Sequence, residues 1–450
     1  MNFDARNDAK PALTIIPREQ HAISRKNISK AALRVLYRLN EAGYAAYLVG
    51  GAVRDLLLGG HPKDFDVATN ATPDEVKKLF RNCRLIGRRF RLAHVVYGPE
   101  IIEVATFRGT GEEDGEGGDR HIVDGRLVRD NIWGSIEEDA IRRDFRVNAL
   151  YYDISDFSVR DYVGGMQDLN DRVLHLIGDP ETRYREDPVR MLRAARLAAK
   201  LNFRIDAAAA APFRTLGPLL GDAAPARLFD ESLKMFLGGH GLKSFRMLEQ
   251  CGLLGFLFPT TARALERGDQ ALRSLIEQGL ANTDARVAEG KSVTPAFLFA
   301  LLLWGEVRDL AAGWIAQGAE HTEAWQLAAA RVVTEQCQRV AIPRRFTFTM
   351  EEIWSLQPRF EQIQRKRVFR LLTHPRFRAA FDFLLLRGAE SPAMYELGQW
   401  WGHAQQLPHD TLASALASVP AGPASTGSAA PVAVKPRKRR RRRKPGNGAD

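Results

Sequence analysis

Apolar residues recur along this chain with two periods, and the switches between the periods mark its elements. Over residues 28–41, Ile28, Ala31, Ala32, Val35, Leu36 and Leu39 form one helical stripe, closed by Gly43 as a C-terminal cap residue. Residues 44–49 are a short apolar run of the kind a buried strand makes. Gly50 and Gly51 interrupt it, and Val53, Leu56, Leu57 and Leu58 then return to helical spacing. A second strand carries Asp64, Phe65 and Asp66. Thr72, Pro73 and Glu75 supply an N-cap, a proline at the first helical position and a capping box for a helix over 73–80. Further strands are expected at 92–97, at 101–107 and as a pair within 151–163. The spacing predicts one helix over 136–150, with Asp144 and Asn148 on a shared face. From 207 to 403 the chain reads as amphipathic helices rich in Ala and Leu, broken by Gly and Pro, with no fixed repeat.

The expected fold is therefore an α/β head followed by an all-helical neck and body. The boundaries are a poorly ordered extension over 1–27, the head over 28–165 and the neck over 166–260. An arginine-rich helical body follows over 261–406, and then a disordered basic tail over 407–450, where Ala, Ser, Pro and Gly dominate.

Composition adds a location for charge. The net charge is +11, but residues 411–450 hold nine basic residues and one acid, so +8 of it sits in the tail and +3 in the other 410 residues. Attraction for a polyanion is concentrated in that appendage, above all at Arg439, Arg440, Arg441, Arg442 and Arg443. Cys83, Cys251 and Cys337 are scattered and odd in number. They make neither a metal-ligand spacing nor a disulfide framework, so reduced thiols, a cytoplasmic location and no disulfide-linked partner are expected. The first residues include Asp4 and Asp8 and lack the apolar core of a signal peptide. The longest apolar run, 296–304, is too short to cross a bilayer, so no membrane partner is expected.

The candidate chemistry lies in residues 48–69. Paired glycines at a strand-to-helix turn let a phosphate approach backbone N–H groups closely, with the positive helix end behind them. Arg54 falls in the first turn of that helix. In the next strand Asp64 and Asp66 share a face, and side-by-side carboxylates make sense with hard cations between them. Glu103, a lone carboxylate in an apolar strand, is the candidate third ligand. A phosphate cradle beside a carboxylate platform points to nucleotidyl transfer assisted by two metal ions. Glycine pairs and Asp-x-Asp spacings are each common; their occurrence in one strand–turn–helix–strand unit is what carries the signal.

Taken whole, GGAVRDLLLG followed by DFDVAT resembles the head of the class II nucleotidyltransferases, which comprise tRNA CCA-adding enzymes and bacterial poly(A) polymerases. The resemblance rests on residues 48–200. It implies that Asp64, Asp66 and Glu103 bind two Mg²⁺, and that Gly50, Gly51 and Arg54 hold a triphosphate. RRDF…NAL resembles the family's nucleotide-holding segment, which brings in Arg142, Arg143 and Asn148 and makes Asp144 a further active-site acid. EDPVR resembles the EDxxR motif whose Asp and Arg meet the edge of the incoming base, here Asp187 and Arg190, with Arg193 one turn on. Base-edge chemistry alone leaves adenine and cytosine both open, since each offers an amino group and ring acceptors.

Other stretches bear on that choice. LIGRRFRLAH, with Arg88, Arg89 and Arg91 around Phe90, resembles the segment that sets bacterial poly(A) polymerases apart from CCA-adding enzymes. Aromatics interleaved with Arg344 and Arg345 in IPRRF and WSLQPRF suit contact with single-stranded RNA, and this region resembles the arginine-rich C-terminal part of the same polymerases. The resemblance thus implies a template-independent poly(A) polymerase that adds AMP from ATP to RNA 3′ ends, releases pyrophosphate and promotes RNA processing and decay. A CCA-adding tRNA nucleotidyltransferase is the near alternative. A catalytically inactive RNA-binding module is the alternative of another class, opposed by the complete carboxylate set.

Overall fold

The structure, a computed structural model, describes residues 13–87, 91–109, 120–123, 126–130 and 132–417. Its N-terminal part is built on one eight-stranded sheet. The strands and helices are, in chain order, β1 (Thr14–Ile16), α1 (Lys30–Glu41), β2 (Ala46–Val49), α2 (Gly51–Leu57), β3 (Asp66–Thr69), α3 (Pro73–Leu79), β4 (Cys83–Ile86), β5 (Leu92–Tyr97) and β6 (Glu100–Thr106). A separate hairpin follows, β7 (Arg120–Val123) with β8 (Arg126–Asp130), then α4 (Ile136–Arg142), β9 (Leu150–Asp153) and β10 (Val159–Asp161). The spatial order is β1-β10-β9-β2-β3-β6-β5-β4. Neighbours are antiparallel except β3 and β6, whose parallel pairing needs the long crossover through α3, β4 and β5.

Strand alternation divides the sheet into two faces. Leu48, Val67, Val95, Ile102 and Val104 point to the side where α1 buries Ala32, Val35, Leu36 and Leu39, and Thr72 closes the capping box of α3 on that side. Tyr47, Val49, Ala68 and Tyr151 point to the other, where Ala140 of α4 joins them. The same face carries Asp66 and Glu103.

After the head come α5 (Gly165–Asp171), α6 (Pro180–Glu186) and α7 (Val189–Leu201), then helices through to His409–Ala417. The head core runs into this helical part without a break: Leu192, Phe213, Phe236 and Trp304 belong to one buried cluster with Leu48 and Val67. A smaller cluster around Leu356, Phe360, Trp401 and Leu416 holds the last helices together.

The α/β head and helical remainder match the sequence expectation, and several details differ. Residues 13–27 are not a loose extension. Thr14, Ile15 and Ile16 pair with β10 as an edge strand, and Ile16 and Ile23 are buried. The helix expected over 136–150 ends at Arg142. Arg143 adopts an extended backbone, and Phe145 bridges to Leu176. The chain past 407 is not at once a linker, because Leu412, Ala413 and Leu416 bury the face of one more helix. Arg88, Arg89 and the basic run at 435–444 lie outside the described residues.

Candidate active site

The register of five strands places the candidate chemistry in a row. Tyr151 of β9 pairs with Val49 of β2, Val49 with Asp66 of β3, Asp66 with Glu103 of β6, and Glu103 with His94 of β5. Registered partners share a face, so Tyr151, Val49, Asp66, Glu103 and His94 lie on one line across the sheet. Asp64 was expected inside the strand, but β3 begins at Asp66, and Asp64 stands just before it. The alternation survives: Phe65 is buried, while Asp64 and Asp66 are both exposed.

Asp66 is the electrostatic centre of the row. Its pKa rises from 3.8 to about 6. Loss of water around the carboxylate is the largest cause, and repulsion from Glu103 and then Asp64 adds to it. Arg143 and His94 pull the other way. The side chain still reaches solvent, so the carboxylate sits in a cleft that is crowded and open at once. His94 Nε2 lies 3.4 Å from Glu103 Oε2.

The glycine turn closes one side of the cleft. Gly50 has φ +74° and ψ −141°, a backbone that side chains other than glycine's adopt at a cost. A Cβ there would sit 3.8 Å from both Asp66 Oδ2 and Arg143 Nη1. Gly50 therefore keeps open the space between an acid and a guanidinium. Gly51 starts α2 and lies against the Arg54 guanidinium, 3.3 Å from where its own Cβ would be.

Arg143 is aimed by two residues that sequence reasoning passed over. Its Nε donates to Tyr151 Oη at 2.9 Å, its Nη2 donates to Asp139 Oδ2 at 2.9 Å, and the Tyr151 hydroxyl donates to the same Asp139 oxygen at 2.6 Å. Burial alone would lower its pKa, but Tyr151 and Asp139 outweigh that and keep the guanidinium charged. Only 23% of the side chain is exposed, and the Nη1 edge is the part that faces Gly50. Asp139 at i−4 on α4 was visible as a helix pair. Tyr151 needed the sheet register.

Other candidates are tied up inside the protein. Arg54 was expected to grip a triphosphate, yet it is 3% exposed, and it donates to Asp55 at 2.8 Å and to Asn148 Oδ1 at 2.6 Å. Asn148 Nδ2 in turn donates to Asp144 Oδ1 at 3.2 Å. The Asp144–Asn148 contact survives the loss of the helix, because Asp144 also caps the Phe145 N–H at 2.8 Å where the chain turns. Burial would raise the Asp144 pKa, but Arg193, at 2.5 Å, and the hydrogen bonds hold it below the usual range. Lys200 reaches Asp55 at 3.0 Å. Arg193 and Lys200, two turns apart on α7, thus clamp the neck to α2 and to the turn after α4. Arg142 donates to the Gly109 carbonyl, and Arg183 donates to the carbonyls of Arg142 and Arg143, each at 2.7 Å.

The residues expected to meet the base, Asp187 and Arg190, lie at the α6–α7 junction. Asp187 is the C-cap of α6, and its Oδ1 accepts the Val189 N–H at 3.3 Å. Its Oδ2 is 2.8 Å from Arg227, a neck residue with no sequence signal of its own. Arg190 donates to Glu186 and to the Arg183 carbonyl. Arg91 pairs with Asp74 at 3.3 Å on the surface. Arg344 and Arg345 are exposed on the body. Of the aromatics expected to stack on RNA, Trp354 and Phe360 are wholly buried and Phe346 stacks on Phe229. Phe348, which lies between the two motifs, is 59% exposed.

The donors at Asp64, Asp66 and Glu103 are hard oxygens, and the raised Asp66 pKa marks a place where positive charge is wanted, so the chemistry fits Mg²⁺. Among the described residues, no three such side chains already stand in cation-holding geometry. A cation would have to draw them together.

Residues 46–175 match the poly A polymerase head domain, 202–265 the probable RNA and SrmB-binding site of polymerase A, and 317–445 the polymerase A arginine-rich C-terminus. Poly(A) polymerase I of Salmonella typhi is 57% identical over 404 residues, which cover 88% of this chain and 87% of that one. A CCA-adding enzyme of Lactobacillus helveticus is 37% identical over 217 residues, about half of each chain. In fold, the crystal structure of Bacillus stearothermophilus CCA-adding enzyme in complex with CTP superposes with a TM-score of 0.56 over 89% of this chain at 24% identity. The chain belongs to the bacterial poly(A) polymerases of the nucleotidyltransferase family.

Proposed function

We propose that this chain is a polynucleotide adenylyltransferase that adds AMP from ATP to RNA 3′ ends without a template and releases pyrophosphate. The observation that carries the reading is the registered row of Asp66 and Glu103 beside the Gly50 turn, with Arg143 aimed at the same space. Identity of 57% across most of both chains favours poly(A) addition over CCA addition, where the likeness spans half.

In this reading Asp64, Asp66 and Glu103 would hold Mg²⁺, which supplies positive charge for the attacking hydroxyl and the departing pyrophosphate. Arg143 Nη1, held rigid by Tyr151 and Asp139, meets triphosphate oxygens that approach over Gly50 and Gly51. Arg142 lies beside it and supports the same segment. Arg54 acts through Asn148 and Asp144, fixing the turn rather than touching phosphate. Asp187 and Arg190 meet the base, and Arg193 holds Asp144. Arg91, Arg344, Arg345 and the basic tail face the RNA. No helix among the described residues is long and apolar enough to cross a membrane, and we place the reaction in the cytoplasm.

The test is extension of an unrelated RNA with each nucleoside triphosphate separately. Long products with ATP alone are expected. A product that stops after C, C and A, on truncated tRNA only, would assign the chain to CCA addition. No product with any nucleotide would leave an RNA-binding module.

A further inference from the structure

The sheet face opposite the carboxylate row carries a second basic surface. His94 is on the carboxylate face of β5, so Tyr97, three residues on, points to the α1 side. There α1 buries Ala31, Ala32, Val35, Leu36 and Leu39 and turns Lys30, Arg34, Tyr37 and Arg38 outward. A shallow cleft of about 440 Å³ lies between this stripe, the turn after α3 and the end of β5. Arg34, Arg38 and Arg81 line it with Tyr37 and Tyr97. Arg25 adds a fourth guanidinium, donating to Tyr37 Oη at 3.0 Å. The acid at the rim, Glu41, is 3.9 Å from Arg38, with both side chains more than half exposed, so it neutralises little.

The shape selects the ligand class. A small-molecule site converges a few fixed polar groups in a deep pocket. Here the cations are exposed and spread from Lys30 to Arg38, roughly 12 Å along the helix axis. A line of charge with two phenol rings beside it matches successive phosphates and bases of a single strand.

We propose that this cleft binds the upstream part of the RNA whose 3′ end is being extended. The inference rests on the reading that RNA is the acceptor. One sheet and one helix layer, roughly 20 Å, separate the cleft from the carboxylates. A short primer engages the carboxylate side alone, and a longer strand wraps the head edge and engages both. The cleft is then a length sensor: it adds affinity for long RNA and leaves the transfer step unchanged.

The test uses the full chain with Arg34→Gln, Arg38→Gln and Arg81→Gln combined. Binding of an 8-nucleotide and a 30-nucleotide oligoadenylate is titrated from 50 to 200 mM salt, and AMP addition to the 8-mer is followed at saturation. Losing three phosphate contacts should flatten the log–log salt slope for the 30-mer by about 2. This corresponds to roughly a 20-fold change in relative affinity across that salt range. The 8-mer should bind and extend as before. The corresponding triple Lys variant should keep the slope, because its point charges remain. Unchanged 30-mer slopes, or equal losses for both lengths in a folded variant, would overturn the proposal. If the triple variant unfolds, Arg81→Gln alone must still lower the 30-mer slope without touching the 8-mer. If the wild-type chain extends neither RNA, the polymerase reading fails separately.

Discussion

Asp66→Asn should stabilise the cation-free protein, and the gain should depend on pH in a set way. In the fold the Asp66 pKa is about 6, against an ordinary 3.8. A raised carboxylate pKa means that the folded state holds the proton more tightly than the unfolded chain does. Stability therefore falls as pH rises from about 4 to about 6, and the whole deficit persists above that window. Taken at face value the displacement corresponds to about 3 kcal/mol. The side chain reaches solvent, which screens much of the repulsion, so about 1 kcal/mol is expected. Asn cannot ionise and escapes the deficit. In thermal unfolding with a chelator, the variant should melt with the wild type near pH 4 and about 2 °C above it at pH 7.5. Adding Mg²⁺ should erase the difference, because a ligand that binds the folded wild type alone stabilises it alone. A variant that melts below the wild type at pH 7.5, or a difference that ignores pH, would refute the electrostatic reading of the row.

Tyr151→Phe removes the hydroxyl that bridges Arg143 and Asp139. One lost buried hydrogen-bond bridge should raise KM for ATP by about 5–10-fold. Inhibition by tripolyphosphate should weaken in parallel and inhibition by AMP should not, which competition kinetics would read. Arg193→Ala should destabilise the protein by about 3 kcal/mol at neutral pH by stranding the buried Asp144 charge. Because Arg193 lowers the Asp144 pKa, the stability it provides is present above about pH 4 and lost below. The gap between variant and wild type should therefore narrow in acid, as urea unfolding at several pH values would record. Adding Asp144→Asn to that variant should recover part of the loss.

The strand–turn–helix–strand unit was legible because glycines, capping residues and apolar periods are local signals. Gly50 and Asp66 came out of it directly, and Glu103 stood out as a lone carboxylate in a later apolar strand. What the sequence left out needed long-range pairing. Tyr151 and His94 enter the row only through register across five strands, and Arg227 and Lys200 act only across the neck. The helix expected over 136–150 kept its period past Arg142, but the Asp144 side chain offers the backbone another partner at Phe145, and the bridge to Leu176 wins. Arg54 looked like a phosphate ligand because it opens a helix beside glycines. Its burial against Asn148, 94 positions away, has no local signature. Thr14 to Ile16 looked loose because an edge strand of three residues carries too little period to detect.

The central claim is that the carboxylates on the open face of the sheet perform the transfer. Its most direct measurement is single-turnover AMP incorporation into one unrelated RNA by the wild type, Asp64→Ala and Asp66→Ala, each verified as folded by thermal unfolding. The account predicts a loss on the order of a thousandfold or more in the rate of transfer for each variant, with RNA affinity unchanged. Near-normal turnover with Mg²⁺ in either variant would contradict it.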